Sequence, residues 1–358
     1  MDKRLKITAV EPRFAIPGGE ITVACEGFEP GQDAACYIRD IRCRIVAASS
    51  KRVLAIVPEA ELGEAQAATG ARSKESKAKG KKGLYLSCKG AVSNEADIMV
   101  GRRLVDGMHI VANPAIDPSD GAIILTRSGG RGQHLPATLF RLEPDGYLDE
   151  FAEPILNPTG IAFDREGQMF VTNRAEGEVY AVGRDGGATV YATGLGIATG
   201  IAFDGEGRMY VGDRSGTVYR VDKFAETETF TVMEPSVAAY HMAFGPDGRL
   251  FLTSPGLASR DAVHVIDKEG FDEKFFIGLG RPQGLAFDKS GNLYVVGCYQ
   301  GRHGIVRIAP DGKTAEHFVA GNNVVGLCFT RKGEMIVATN DSVYSIACGI
   351  EGTLLAAN

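Results

Sequence analysis

The sequence repeats one motif along most of its length. Residues 158–174 read PTGIAFDREGQMFVTNR and residues 198–214 read ATGIAFDGEGRMYVGDR, with eleven of the seventeen positions identical. Aligned on the residue before the turn, the copies place Phe163, Phe203, Phe244, Phe287 and Phe329 at intervals of 40, 41, 43 and 42 residues. A looser copy at 112–128 places Ile116 in the same slot. Such a period indicates one supersecondary unit that must stack on its neighbours to bury its faces.

Each copy, numbered here repeat 1 to repeat 6, has the same parts. A short apolar strand such as GIAF leads into a turn ending in glycine, and a second strand (MFVTN, MYVGD) and a third (EVYAV, TVYRV) follow. Most copies add a fourth, such as ATVYAT or TETFTV. Four antiparallel strands in 40–45 residues are typical of a propeller blade. We therefore predict an all-β chain with a six-bladed β-propeller.

The pattern P-x-G-[IL]-A-F-D-x-x-G-x-[LM]-[FY]-V resembles NHL repeats and the propeller of the SMP-30/gluconolactonase group, over about residues 108–350. We assign the propeller to residues 101–358. The strand that closes its last blade comes either from IMVGRRLV (98–105) or from GTLLAAN (352–358), and both alternatives stay open.

Residues 1–100 lack the repeat and predict a separate small domain. Alternating apolar and polar residues in ITVAC, RVLAIV and LYLSC are typical of an antiparallel sandwich. The opening I-x-x-V-x-P…P-G-G resembles the IPT/TIG immunoglobulin-like domain, a resemblance that implies a spacer or interaction module. The loop 71–83 carries six basic residues and one glutamate. It is either a contact for an anionic partner or a solvated hairpin loop.

Charge and hydropathy exclude several classes of protein. The formal net charge of −6 argues against nucleic acid as the main partner. Apolar runs stay far below the roughly 18–20 residues that span a bilayer. The N-terminus lacks the apolar core of a signal peptide, so we expect a bacterial-type cytoplasmic protein.

Polar residues are predicted to gather on the channel face opposite the glycine turns, where each first strand begins and each second strand ends. Four repeats have glycine at the second position of the first strand, whereas repeat 4 has His241. A funnel with a few convergent polar groups is the default binding site. The candidate ligand-binding residues are Tyr240, Gln283, Asn173, Arg127, Arg174 and Arg214, and the candidate catalytic residues are His241 and Asp213.

Two interpretations stay open for these side chains. His241 is either a general base or ligand anchor, or a structural histidine bonded to a neighbouring carbonyl. The three arginines either clamp an anion or pair with acids such as Asp213. The acids that recur after the phenylalanine slot cap their own turns and form no ligand set. They are Asp117, Asp164, Asp204 and Asp288.

Two functions follow. The first is a non-catalytic or weakly catalytic propeller that binds a small anionic or sugar-like ligand, or a protein, on the channel face. The second, implied by the gluconolactonase resemblance, is a lactonase-type hydrolase that uses a divalent cation (Ca²⁺, Zn²⁺, Mn²⁺ or Mg²⁺) or His241 as base. Members of that group have P-N-G or P-D-G at the start of the first strand, whereas this sequence has P-T-G, A-T-G, P-Q-G and V-V-G. We therefore predict no metal ligands among the site residues.

Overall fold

The computed structural model describes residues 4–59, 83–130, 133–258 and 260–353, and every regular element in them is a β-strand. The chain divides into two compact bodies. The first comprises Met1–Arg102 with Arg302–Gly304 and His317–Asn322, and the second comprises the rest. The basic loop predicted at 71–83 lies, but for Gly83, outside the described residues. The described parts of the chain contain no helix with the length and apolar character that a membrane crossing needs.

The first body is built on a seven-stranded sheet. Its strands are β1 (Lys6–Glu11), β2 (Phe14–Ala15), β3 (Glu20–Glu26), β4 (Ala35–Ile38), β5 (Ile41–Ala48), β6 (Arg52–Ile56), β7 (Leu84–Cys88), β8 (Ala91–Val92) and β9 (Met99–Val100). The order is β1-β3-β6-β5-β4-β7-β8, and β2 pairs in parallel with β9. The strands predicted at ITVAC, RVLAIV and LYLSC are confirmed as β3, β6 and β7. Their alternate residues are buried in one core.

One strand belongs to both halves of this sheet. Residues 41–43 of β5 pair with β4, whereas residues 44–48 pair with β6. The change of partner lets side chains from both halves, among them Val23 of β3 and Leu86 of β7, enter the same apolar cluster.

The second body holds the repeats. Its strands are β10 (Arg102–Val105), β11 (Ala115–Ile116), β12 (Ile123–Thr126), β13 (Leu139–Leu142), β14 (Leu148–Glu150), β15 (Pro158–Phe163), β16 (Met169–Asn173), β17 (Glu178–Val182), β18 (Ala188–Ala192), β19 (Ala198–Phe203), β20 (Met209–Asp213), β21 (Thr217–Val221), β22 (Thr227–Val232), β23 (His241–Phe244), β24 (Leu250–Thr253), β25 (Asp261–Ile266), β26 (Asp272–Gly280), β27 (Leu285–Phe287), β28 (Leu293–Tyr299), β29 (Arg302–Ile308), β30 (Ala315–Ala320), β31 (Val324–Phe329), β32 (Glu334–Thr339) and β33 (Val343–Ala347).

These strands form antiparallel sheets in chain order. Three four-stranded sheets run from β11 to β14, from β15 to β18 and from β19 to β22. The strands β23 to β30 are joined in one continuous sheet, because the end of β26 pairs with the end of β28 at Leu279↔Tyr299. The first hairpin of each repeat turns at a glycine with a left-handed backbone, such as Gly167 at φ 81°. The predicted hairpin turns are thereby confirmed.

The first strands of successive repeats lie side by side and give a propeller-like arrangement. Thr172 and Thr253 donate their hydroxyls to carbonyl oxygens at the start of the next repeat, at 3.1 Å and 2.7 Å. The last repeat contacts the first, because the Asn113 amide donates to the Leu285 carbonyl at 3.0 Å and accepts from the Leu327 amide at 3.1 Å. Asn113 therefore ties repeat 1 to repeats 5 and 6.

The closing strand comes from the N-terminal side. The sheet of repeat 6 has the order β10-β33-β32-β31, so residues 102–105 supply its outer strand. Of the alternative segment 352–358, Gly352 forms an isolated bridge with Asp288, and residues 354–358 lie outside the described residues.

Candidate functional site

Close packing explains the glycines at the start of the first strands. A Cβ at Gly160 would lie 2.6 Å from the Thr199 carbonyl oxygen, and one at Gly326 would lie 2.6 Å from the Ala112 carbonyl oxygen. Side chains do not fit where backbones approach this closely. The two repeats that break the pattern have Asn113 and His241, and each therefore places a polar side chain where the others have none.

His241 is buried and neutral. It begins β23 opposite Thr253, and 5% of its surface is exposed. Its ring forms no hydrogen bond within the described residues, so it is not the carbonyl-bonded histidine of the structural interpretation. Burial lowers its pKa to about 4, because the charged form would lose its hydration. At neutral pH, His241 therefore holds an unprotonated ring nitrogen.

The neighbours of His241 in the candidate set differ in accessibility. Tyr240 is fully buried, and its hydroxyl donates to the Glu234 carbonyl at 2.6 Å. Its ring packs over Gly212, where a Cβ would lie 3.0 Å away. Gln283 is half-buried, and its carbonyl accepts the bond from Thr253. Tyr240 thus packs as a core residue, whereas Gln283 keeps a half-exposed amide.

Asn173 and Asp213 hold the turns that follow their strands. The Asn173 Oδ1 accepts from the Ala175 amide at 2.9 Å, and its Nδ2 donates to Glu176 at 2.7 Å. The Asp213 Oδ1 accepts from the amides of Ile197 and Ser215 at 2.8 Å and 2.9 Å, and its Oδ2 accepts from the Ser215 hydroxyl. Both side chains are buried, and their polar atoms form hydrogen bonds with nearby groups of the protein itself.

The three candidate arginines form no ion pair with a carboxylate in the part of the chain that the structure describes. Arg127, Arg174 and Arg214 are half-buried and take part in none of the ion pairs formed within the described residues. The pKa of Arg174 is lowered, first by burial and then by the charge of Arg214. The nearby acids Glu176 and Glu178 instead accept hydrogen bonds from Asn173 and Tyr180. The pairing interpretation therefore does not hold for the described residues.

Two loops outside the predicted candidate site contact Arg214. Its main-chain amide donates to the Ile197 carbonyl at 3.2 Å, and its guanidinium reaches the Val237 carbonyl at 3.5 Å. The side chains of Ile197 and Val237 are 40% and 43% exposed. Ile197 and Val237 lie in the loops that connect successive repeats, and connecting loops are where binding residues are most often found. That position is the sequence feature that could have identified them.

The donor groups of this face do not suit a divalent cation. The first-strand starts bring Thr159, Thr199 and Gln283 but no carboxylate, and both oxygens of Asp213 are engaged in turn contacts. Within the described residues, no group of three histidine, cysteine or acidic side chains has the geometry of a metal site. Hard cations take six or more oxygen ligands, and this set falls short.

The recurring acids cap their turns, as predicted. The Oδ1 atoms of Asp164, Asp204 and Asp288 accept main-chain amides from their own turns at 2.8–2.9 Å. Asp117 accepts from the Ser119 amide at 2.9 Å. These contacts explain the recurrence without a ligand.

Known proteins resemble the chain in fold. No protein-family model matches the sequence, and no curated protein matches it. A candidate gluconolactonase from a structural genomics programme has a TM-score of 0.59 and 18% identity, covering 70% of this chain and 93% of its own. An auxiliary nutrient binding protein from Bacteroides thetaiotaomicron has a TM-score of 0.55 and 15% identity, covering 96% and 98%.

A third structure is a catalytically inactive histidine-to-alanine variant of virginiamycin B lyase from Staphylococcus aureus, solved with quinupristin. It has a TM-score of 0.51 and 15% identity, covering 88% of this chain and 96% of its own. These neighbours are propeller proteins, so the comparison supports a propeller fold for this chain.

Proposed function

We propose that this protein is a six-bladed β-propeller that binds a small anionic ligand on its channel face. The blade count treats β23 to β30 as two four-stranded blades joined at β26 and β28, in line with the six sequence repeats. The seven-stranded sheet of the first body would be the IPT/TIG-type immunoglobulin-like domain of residues 1–100. The propeller would then span residues 101–358.

The observation that carries the proposal is the unbalanced charge of Arg174 and Arg214. Burial and then the charge of Arg214 lower the pKa of Arg174, so the charged form of Arg174 is destabilised in this place. Like charges held together in a half-buried place are expensive unless an anion joins them. A carboxylate or phosphate would bind both guanidinium groups through paired hydrogen bonds. Arg127 and the Gln283 amide would bind its other polar atoms.

The proposed ligand site predicts a charge-selective thermal shift. Inorganic phosphate and gluconate, at about 100 times the dissociation constant, should each stabilise the protein by about 2.7 kcal/mol. Neutral glucose should have little effect, because it brings no charge to the arginines. The double variant Arg174→Gln/Arg214→Gln should lose the response.

The control is Arg249→Gln, because Arg249 pairs with Asp247 at the turn end and should not affect binding. Equal stabilisation by glucose and gluconate, unchanged in the double variant, would instead indicate a neutral sugar site and overturn the anion proposal. A protein partner on this face would leave all three probes without effect.

A second candidate function is hydrolase or lyase chemistry with His241 as the base. The ring of His241 is neutral and forms no hydrogen bond with the residues that the structure describes, which favours this role, since a general base needs a free nitrogen at the working pH. The lyase neighbour's inactive histidine variant makes the same residue type a reasonable first target here. The cation-dependent lactonase mechanism receives no support from the donor set on this face.

Catalysis by His241 predicts a specific pH profile. Hydrolysis of δ-gluconolactone, followed by acid release, should rise with pH through about 4 and then level off, because the base must be unprotonated. His241→Gln should reduce the rate about 100-fold or more. A wild-type rate equal to that of the buffer would leave ligand binding as the function, whereas a faster rate that is unchanged in His241→Gln would exclude His241 as the base.

A further inference from the structure

Aromatic rings fill the space between most neighbouring repeats. In repeats 2 to 5, the second residue of the second strand packs on the phenylalanine that ends the first strand of the next repeat. The ring pairs, with centroids 4.8–5.4 Å apart, are Phe170–Phe203, Tyr210–Phe244, Phe251–Phe287 and Tyr294–Phe329. Repeat 1 has Ile124 at this position, facing Phe163 of repeat 2.

Where the ring is a tyrosine, an aspartate and an arginine hold its hydroxyl. The Tyr210 hydroxyl lies 3.4 Å from the Asp204 Oδ2 and also bonds Arg220 on the adjoining strand. The Tyr294 hydroxyl lies 3.1 Å from the Asp288 Oδ2. It too bonds an arginine of the adjoining strand, Arg307.

Repeat 1 keeps the aspartate and the arginine but lacks the ring. Asp117 follows the slot of Ile116 as Asp204 follows Phe203, and Arg141 pairs across the strand with Ile124 as Arg220 does with Tyr210. Without a hydroxyl between them, Arg141 Nη1 bonds Asp117 Oδ2 directly at 2.7 Å. Asp120 and Glu143 also accept from Arg141.

A cavity lies beside Ile124, the residue that stands where repeats 2 to 5 have a ring. Its volume is about 590 Å³, and its apolar walls include Ile124, Phe163, Met169 and Phe151. Asp117 and Arg141 line its polar side. Ser119, Asp120, Glu166, Gln168 and Arg184 also line the cavity, so polar and apolar side chains contribute about equally. The volume lies in the range of small-molecule sites.

We propose that this cavity binds a phenolic compound whose ring takes the place of the absent tyrosine. The ring would pack on Ile124 and Phe163, as Tyr210 packs on Phe244. Its hydroxyl would donate to Asp117 Oδ2. That oxygen accepts one bond from Arg141 and has a second lone pair that can accept another. In repeat 3, Asp204 Oδ2 likewise accepts from both Arg208 and Tyr210. The site lies at the turn end of the repeats and is independent of the arginine face.

The volume exceeds that of a single ring, so the natural ligand carries a larger group on the phenol. The minimal probe is p-cresol, and toluene is its matched control without the hydroxyl. We expect the full-length protein to bind p-cresol at least about tenfold more tightly than toluene, since the hydroxyl bonds a charged acceptor. Equal affinity would overturn the hydroxyl site, and no binding of either compound would overturn the cavity.

Substitution at Ile124 locates the binding. Ile124→Tyr supplies the ring from the chain itself and should abolish p-cresol binding, whereas Ile124→Val leaves the cavity open and should keep it. Unchanged binding in Ile124→Tyr would contradict the proposal.

Methyl NMR of the wild-type protein gives the same answer should the tyrosine variant fail to fold. p-Cresol should shift the Ile124 methyl signals and leave those of Ile336 unchanged. Ile336 holds the same position in repeat 6, where it pairs across the strands with Cys328 and Ser345. Binding without a shift at Ile124 would place the compound elsewhere.

Discussion

Acidification should destabilise this protein through His241. The pKa of the buried ring is about 4 in the folded protein, against an ordinary value of 6.5. Between these values the unfolded chain binds a proton that the folded chain excludes, so stability rises with pH from about 4 to 6.5 and is level above that range. The difference in pKa amounts to about 3 kcal/mol of unfolding free energy lost between pH 7 and pH 4.

Urea unfolding at pH 7, 6, 5 and 4 measures this loss. Other groups titrate in the same range, so the decisive quantity is the difference between the wild type and His241→Gln. The variant should lose less stability on acidification, by about 3 kcal/mol. Parallel curves for the two proteins would mean that His241 is hydrated in the folded state.

Gly284→Ala should destabilise the propeller-like body strongly. The added Cβ would lie 2.1 Å from the Asn113 Oδ1 and 2.6 Å from the Gly326 Cα. Asn113 cannot move away without giving up its bonds to Leu285 and Leu327, and the Gly326 contact is backbone. Overpacking and the lost hydrogen bonds together should cost about 3 kcal/mol, measured as the change in unfolding free energy.

The matched control is Gly205→Ala. A Cβ there would come no nearer than 3.7 Å to any atom, and that atom is the end of the flexible Arg165 side chain. The control should change stability by less than about 0.5 kcal/mol. If Gly284→Ala changes the unfolding free energy no more than the control does, the contact among Asn113, Gly284 and Gly326 is looser than described.

Much of the fold could be predicted from the sequence because the repeat encodes local structure. The apolar alternation fixes the strands, and the glycine before each second strand fixes the hairpin turn, as the φ of 81° at Gly167 shows. Glycines at 160 and 326 predict close backbone approach, which the packing confirms. The recurring acids after the phenylalanine slot could be assigned to turn capping by the same local reasoning.

The candidate site could be predicted only in part. The sequence singled out His241 as an exception to the glycine pattern, but it did not show that Tyr240 is a core residue or that Asn173 and Asp213 are occupied by turns. Those outcomes depend on which amides lie within 3 Å of each side chain. The sequence also left open whether the arginines pair with acids, because pairing depends on side-chain distances.

The sequence by itself determined the repeated unit and the positions where one copy departs from the others. Only the tertiary structure decided what each departure does. Ile124, which stands in place of an aromatic ring, lines a cavity together with residues of repeat 2. Residues 102–105, distant in sequence from β33, close its sheet. Both are contacts between segments far apart in the chain, and short-range patterns carry no information about them.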